Sequence, residues 1–104
     1  MAKTLVSNAF SLNMVEESNY GICVETVSLD DVVNAMPKSV IGHKELADSL
    51  ASSWEGFVFN RESVTLGLLD TLFVIQYSGP RLPEGATSLP EGAKVKYLKI
   101  TFII

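Results

Sequence analysis

The residues that most often carry chemistry are nearly missing from this chain. It has one cysteine, Cys23, and one histidine, His43. A single cysteine excludes a disulfide framework or a thiolate zinc site within one chain. Cys23 sits in an apolar run and reads as a small core residue. No apolar run approaches the ~20 residues needed to span a bilayer, which argues against a membrane protein. The start, Met1-Ala-Lys-Thr-Leu-Val6, lacks the apolar core and cleavage site of a secretion signal, so the cytoplasm is the expected compartment. Basic residues are scarce as well, and the net charge is −4. Binding along DNA or RNA backbones uses clustered Lys and Arg, so broad nucleic-acid binding is disfavoured. A small phosphorylated ligand in one local site remains open. There is no HExxH, no Walker-type phosphate loop, no Gly-x-Gly-x-x-Gly and no metal-ligand spacing.

What is present fits one domain of 104 residues, long enough to bury a real core without staples. Lys3 to Ala9 reads as a first strand. Met14 to Ser18 reads as a short helical turn and Asn19-Tyr-Gly21 as a turn signal. Gly21 to Val27 reads as a second strand with Ile22, Cys23 and Val24 buried. Ser28 caps a helix, with Asp31 three residues on as in a capping box. Leu29, Val32, Val33 and Met36 form its apolar stripe, and Pro37 ends it. A further helix starts at His43 and runs to about Trp54, carrying Leu46, Ala47, Leu50 and Ala51; Trp54 is expected to pack under the sheet. Phe57 to Asn60 and Arg61 to Leu66 read as extended chain. Gly67 to Asp70 reads as a hairpin turn, and Thr71 to Tyr77 as a central strand. Leu82-Pro-Glu-Gly-Ala86 recurs as Leu89-Pro-Glu-Gly-Ala93, each copy a turn with Pro pre-setting its first corner. Lys94 to Ile104 is the last strand, covered inside the sheet or at a subunit contact. The pattern predicts an α/β domain, a mixed sheet flanked by helices.

Polar groups gather just past strand ends and at one helix start, where ligands sit in open α/β sheets. They are Asn8 with Ser11, Gly42 with His43, and Arg81 with Glu84. The backbone N–H groups around Gly42 and His43 favour a bound anion. The alternative for His43 is a plain helix cap, and for Asn8 and Ser11 a turn and cap. Arginine for phosphate, backbone donors and a histidine acid suit cleavage of a ribose-phosphate bond without a cofactor. In such a scheme the substrate's own 2′-OH attacks phosphorus and the enzyme protonates the 5′-oxygen.

Asn8-Ala-Phe-Ser-Leu-Asn-Met14, Ile41-Gly-His43 and Arg81-Leu-Pro-Glu-Gly85 together resemble the signature segments of the viral type III anti-CRISPR ring nucleases and their cellular relatives, over nearly the whole chain. The resemblance implies a homodimer with a site between its subunits, in a prokaryotic or infected host cell. It implies metal-independent cutting of cyclic tetra-adenylate to linear di-adenylate with a 2′,3′-cyclic phosphate. That reaction would silence type III CRISPR second-messenger signalling. It assigns His43 as general acid, Glu84 as the supporting carboxylate and Arg81 as the phosphate ligand. Asn8, Ser11, Gly42 and Gln76 would line the ligand site. Glu91, in the second repeat copy, rivals Glu84. The loop Tyr77-Ser-Gly-Pro80 departs from the archaeal virus members and puts Gln76 in more question than Arg81. Other readings are a sponge that holds a cyclic nucleotide uncut and a small dimeric regulator docked through the apolar last strand. Intact ligand on denaturation would mark the sponge. Loss of function after Phe102→Asp, but not after His43→Ala, would mark the regulator.

Overall fold

A computed structural model describes residues 2–16 and 20–103. Its strands are β1 (Thr4–Ser7), β2 (Gly21–Val27), β3 (Lys38–Ser39), β4 (Thr71–Ser78) and β5 (Lys94–Ile103), and its helices are α1 (Leu29–Ala35) and α2 (Lys44–Leu50). The strands form one mixed sheet in the order β2-β5-β4-β1-β3. β1 runs parallel to both β3 and β4, with Val6 opposite Ser39 and Phe73. β5 runs antiparallel to β4 and β2, with Leu98 opposite Val74 and Thr26. This is the α/β architecture that the sequence pattern implies.

β4 lies in the middle, as expected, and Leu72 to Ile75 are all buried. A strand covered on both faces reads as a continuous apolar run rather than an alternating one. One face packs Val6, Phe73 and Ile75 against Val32 of α1 and Leu46, Ala47 and Leu50 of α2. The other packs Leu5, Leu72, Val74, Ile100 and Phe102 against Val40 and Leu66. Phe57 sits in the first core, with Trp54 edge-on at 5.1 Å and Tyr97 stacked at 6.4 Å. Burying one such ring stabilises the fold by roughly 1.5–3 kcal/mol.

The capping box at Ser28 and Asp31 forms in both directions. Several other expectations are corrected. Ile22, Cys23 and Val24 are exposed, because β2 is an edge strand and the two packed layers end at β5. An apolar edge strand and a central one look alike in sequence. Met36 leaves the α1 stripe: it is the left-handed C-cap at φ 48° and is exposed. Pro37 behind it disfavours helical backbone at that position. α2 closes at Leu50, where Ser53 and Trp54 both donate to the Leu50 carbonyl, so Ala51 is exposed and outside the helix. Gly67 to Asp70 is a turn, but Leu66 before it makes a parallel bridge to Val15 and does not pair with β4, so no hairpin forms among the described residues. The expected segments at 17–19 and Ile104 lie outside the described residues; Leu12–Met14 forms one turn of 3-10 helix. β5 is covered inside the sheet, between β4 and β2.

Candidate active site

Parallel β1, β3 and β4 end on the same rim of the sheet, and three segments leave from there. Asn8 follows β1 directly. Gly42 and His43 follow β3 and open α2. Arg81 to Gly85 lie past the end of β4. A cavity of about 570 Å³ at this rim is lined by His43, Glu45, Arg81, Leu82, Pro83 and Glu84. A second, of about 320 Å³, shares His43, Arg81 and Leu82 and adds Asn8, Leu46, Ile75, Gln76 and Tyr77. Five of the sequence-predicted residues, Asn8, His43, Gln76, Arg81 and Glu84, therefore border one continuous region. Glu91 lines neither cavity, which separates it from Glu84.

His43 is both cap and cavity residue. Its Nδ1 accepts the Leu46 N–H at 3.1 Å, closing the first turn of α2. A nitrogen that accepts an N–H carries no proton, so this geometry fixes the neutral ring with its proton on Nε2. The anion seat expected at the helix start is largely filled from within. The Gly42 N–H donates to Asn8 Oδ1 at 3.0 Å, and the Leu46 N–H goes to His43. Glu45, in the first turn, supplies the negative charge that such a position favours. Gly42 thus serves to fix Asn8 rather than to offer its N–H to a ligand.

The loop after β4 is built by its repeat. Ala86 N–H donates to Pro83 O at 3.1 Å, and Gly85 takes φ 77°. Proline is therefore the accepting first residue of the turn, not its first corner as the sequence implied. Glu84 holds that corner. The second copy repeats the geometry, with Ala93 N–H on Pro90 O and Gly92 at φ 85°. Leu82 and Leu89 pack against the first core and anchor both turns. Tyr77 donates its hydroxyl to Pro80 O, bracing the approach to Arg81. Gly79, at φ 141°, passes so close to Ala93 that a Cβ would stand 2.9 Å from its Cα.

Among the described residues the ion pairs are Lys3–Asp70, Lys38–Glu62 and Lys44–Asp48. Arg81 is in none of these, and it lines both cavities. Glu45 was not singled out by sequence, where it reads as an ordinary first-turn acid. Its Oε2 accepts the Gly85 N–H at 3.2 Å. That N–H, then its own backbone N–H, hold the carboxyl below the usual glutamate range against the desolvation that opposes them. Ser11 stands apart, as the exposed cap of the 3-10 turn, accepting the Asn13 N–H at 3.3 Å. Alternation along β4 groups Gln76 with Leu72 and Val74, not with Ile75 and Tyr77, so it borders the second cavity from the strand's edge. No grouping of three or more His, Cys, Asp or Glu able to hold a metal ion occurs among the described residues. No helix there is long and apolar enough to cross a membrane.

No protein-family model matches the chain, and no curated protein matches it in sequence. Among solved structures its fold is similar to that of B116 of Sulfolobus turreted icosahedral virus. The TM-score is 0.77 at 22% identity, over 96% of this chain and 99% of that one. At that identity the likeness establishes a shared fold, over essentially the full length of both chains.

Proposed function

We propose that this protein is a ring nuclease that cuts cyclic tetra-adenylate without a metal ion. The observation that carries the reading is the shared cavity, which His43, Arg81 and Glu84 all line. Arg81 holds a phosphate through its planar fork. The ribose 2′-OH attacks the adjacent phosphorus and loses its proton to solvent, the P–O5′ bond breaks, and the 5′-oxygen takes a proton from His43, which solvent then restores. The products are linear di-adenylates ending in 2′,3′-cyclic phosphate. Much of the acceleration comes from in-line alignment.

The capped imidazole sets a condition on this scheme. Nε2 can give up its proton cheaply only if Nδ1 is also protonated, and a protonated Nδ1 cannot accept the Leu46 N–H. The acid form therefore opens the cap. A bound phosphate, Glu45 and Glu84 supply counter-charges for the cation at that moment. A pocket of a few hundred Å³ suits a drug-sized ligand, and a ring of four nucleotides is larger. The reading accordingly places the ring between two copies of the chain, each contributing one cavity.

Labelled ring incubated with purified protein and a chelator tests the proposal; the expected product is linear di-adenylate, and an uncut ring refutes it. His43→Ala should stop cutting and leave binding largely intact. The capped state of His43 also favours a second reading, a sponge that holds the ring uncut. Quantitative recovery of intact ring after denaturation distinguishes it.

A further inference from the structure

The repeated turn provides an internal comparison. Both copies of Leu-Pro-Glu-Gly-Ala fold alike, with the same backbone bond and the same left-handed glycine. Only the first borders the cavities. Among the described side-chain hydrogen bonds, only the first is joined to another element: the Gly85 N–H meets Glu45 of α2, forty residues away in sequence. Gly92 has no such partner among them. Glu45 itself lines the His43 cavity and directly follows Lys44, whose ammonium is drawn off to Asp48 at 2.6 Å. We infer that Glu45 is a positioning residue, whose carboxylate latches the Arg81–Gly85 turn to the start of α2 and so sets the guanidinium and Glu84 in register with His43.

Without this bond the described supports of the turn are β4, the Tyr77–Pro80 bond, and Leu82 and Leu89 packed against the first core. None of these reaches α2 by a polar contact. A shift of the turn by about an ångström would separate Arg81 from His43 across the reacting phosphate. Misplacements of that size cost up to about a hundredfold in rate. The carboxyl's lowered pKa, for which the Gly85 N–H is the first cause, fits a latch closed at neutral pH. Charged or titratable groups around it are His43, Lys44, Arg81 and Glu84.

The inference rests on the ring-nuclease reading for its consequence, but the latch can be read without substrate. In a nitrogen–proton NMR titration, the Gly85 amide should shift as Glu45 protonates at acid pH. The shift should survive Glu84→Gln, which removes the neighbouring carboxyl, and vanish in Glu45→Ala. With labelled ring, Glu45→Ala should lower kcat about ten- to a hundredfold. Glu45→Gln, whose amide oxygen still accepts the N–H, should recover most of it. Glu91→Ala, at the same corner of the second copy, should change nothing. An unaltered Gly85 titration in Glu45→Ala would overturn the latch, and wild-type kcat in that variant would overturn its role in positioning. If wild-type protein leaves the ring uncut, the nuclease reading fails, and the amide titration alone decides the latch.

Discussion

Replacing His43 separates the cap that it forms from the catalytic role proposed for it. Its Nδ1 closes the first turn of α2 by accepting the Leu46 N–H. Losing a side-chain acceptor at this position costs about 1 kcal/mol, within a range of roughly 0.5–2 kcal/mol. For a domain near this length, 1 kcal/mol lowers the melting temperature by about 4–8 °C. His43→Ala should therefore melt several degrees below wild type. His43→Asn should not, because asparagine is among the strongest N-caps and its amide oxygen can take the same N–H. Neither variant can protonate a leaving oxygen, so both should lose roughly 10²–10⁴ in cleavage rate, the usual contribution of a general acid. Thermal melts read the first effect, and single-turnover cleavage of labelled ring reads the second. Full activity in His43→Asn would remove the imidazole from the chemistry. A melting temperature unchanged in His43→Ala would show that the cap contributes nothing measurable.

Arg81 stands outside the described ion pairs, so Arg81→Lys keeps its charge but loses the fork; ring affinity measured by titration calorimetry should fall about tenfold, and further in Arg81→Ala. Asp70 is buried and accepts the Lys3 N–H at 2.7 Å and the Gly67 N–H at 2.8 Å. Desolvation pushes its pKa up, but these N–H groups and the Lys3 charge outweigh it, and the net direction is down. A lowered folded-state pKa means stability that is present above the unfolded value and lost as pH falls. Glu45, Glu62 and Asp31 shift the same way. Urea melts should therefore show stability falling below about pH 4.5 and flat from there to neutral pH, with part of the slope removed in Asp70→Asn. Gly79→Ala places a Cβ against Ala93 at a backbone angle that suits glycine alone, and should cost about 1–3 kcal/mol in the same melts.

The parts of the fold legible in sequence were those fixed by local rules. The run Leu72 to Ile75 named the central strand because full burial leaves no alternation. Ser28 and Asp31 named a helix start because both halves of the capping box are within three residues of each other. The larger failure, at β2, is non-local. Nothing in Gly21 to Val27 states that only one of its edges is paired, and that fact alone decides the exposure of Cys23. At the site, His43, Arg81 and Glu84 were visible as rare or turn-placed polar residues. Glu45 was not, because a first-turn glutamate needs no partner to explain it; its meaning comes from a glycine forty residues later. For Ser11 the structure shows the cap that sequence offered as the alternative to ligand contact: its side chain accepts the Asn13 N–H.

If the proposed function holds, an acidic chain must handle a polyanion at short range. Beyond a Debye length of about 8–10 Å, ligand phosphates and surface carboxylates repel only weakly in physiological salt. Inside that distance the arrangement at the rim decides. Glu45 spends its charge on the Gly85 N–H and on its own. Lys44 is turned to Asp48. Arg81 is the cation left bordering both cavities. An extended nucleic acid gains little from one arginine, because its affinity sums over many phosphate contacts along a basic surface. In the proposed pairing of two copies a closed ring would gain more: it presents several phosphates within a short span and would meet Arg81 of each copy. The same scarcity of cations that argues against long nucleic acids is thus compatible with a compact cyclic one, provided that Arg81 stays where Glu45 and Leu82 hold its loop.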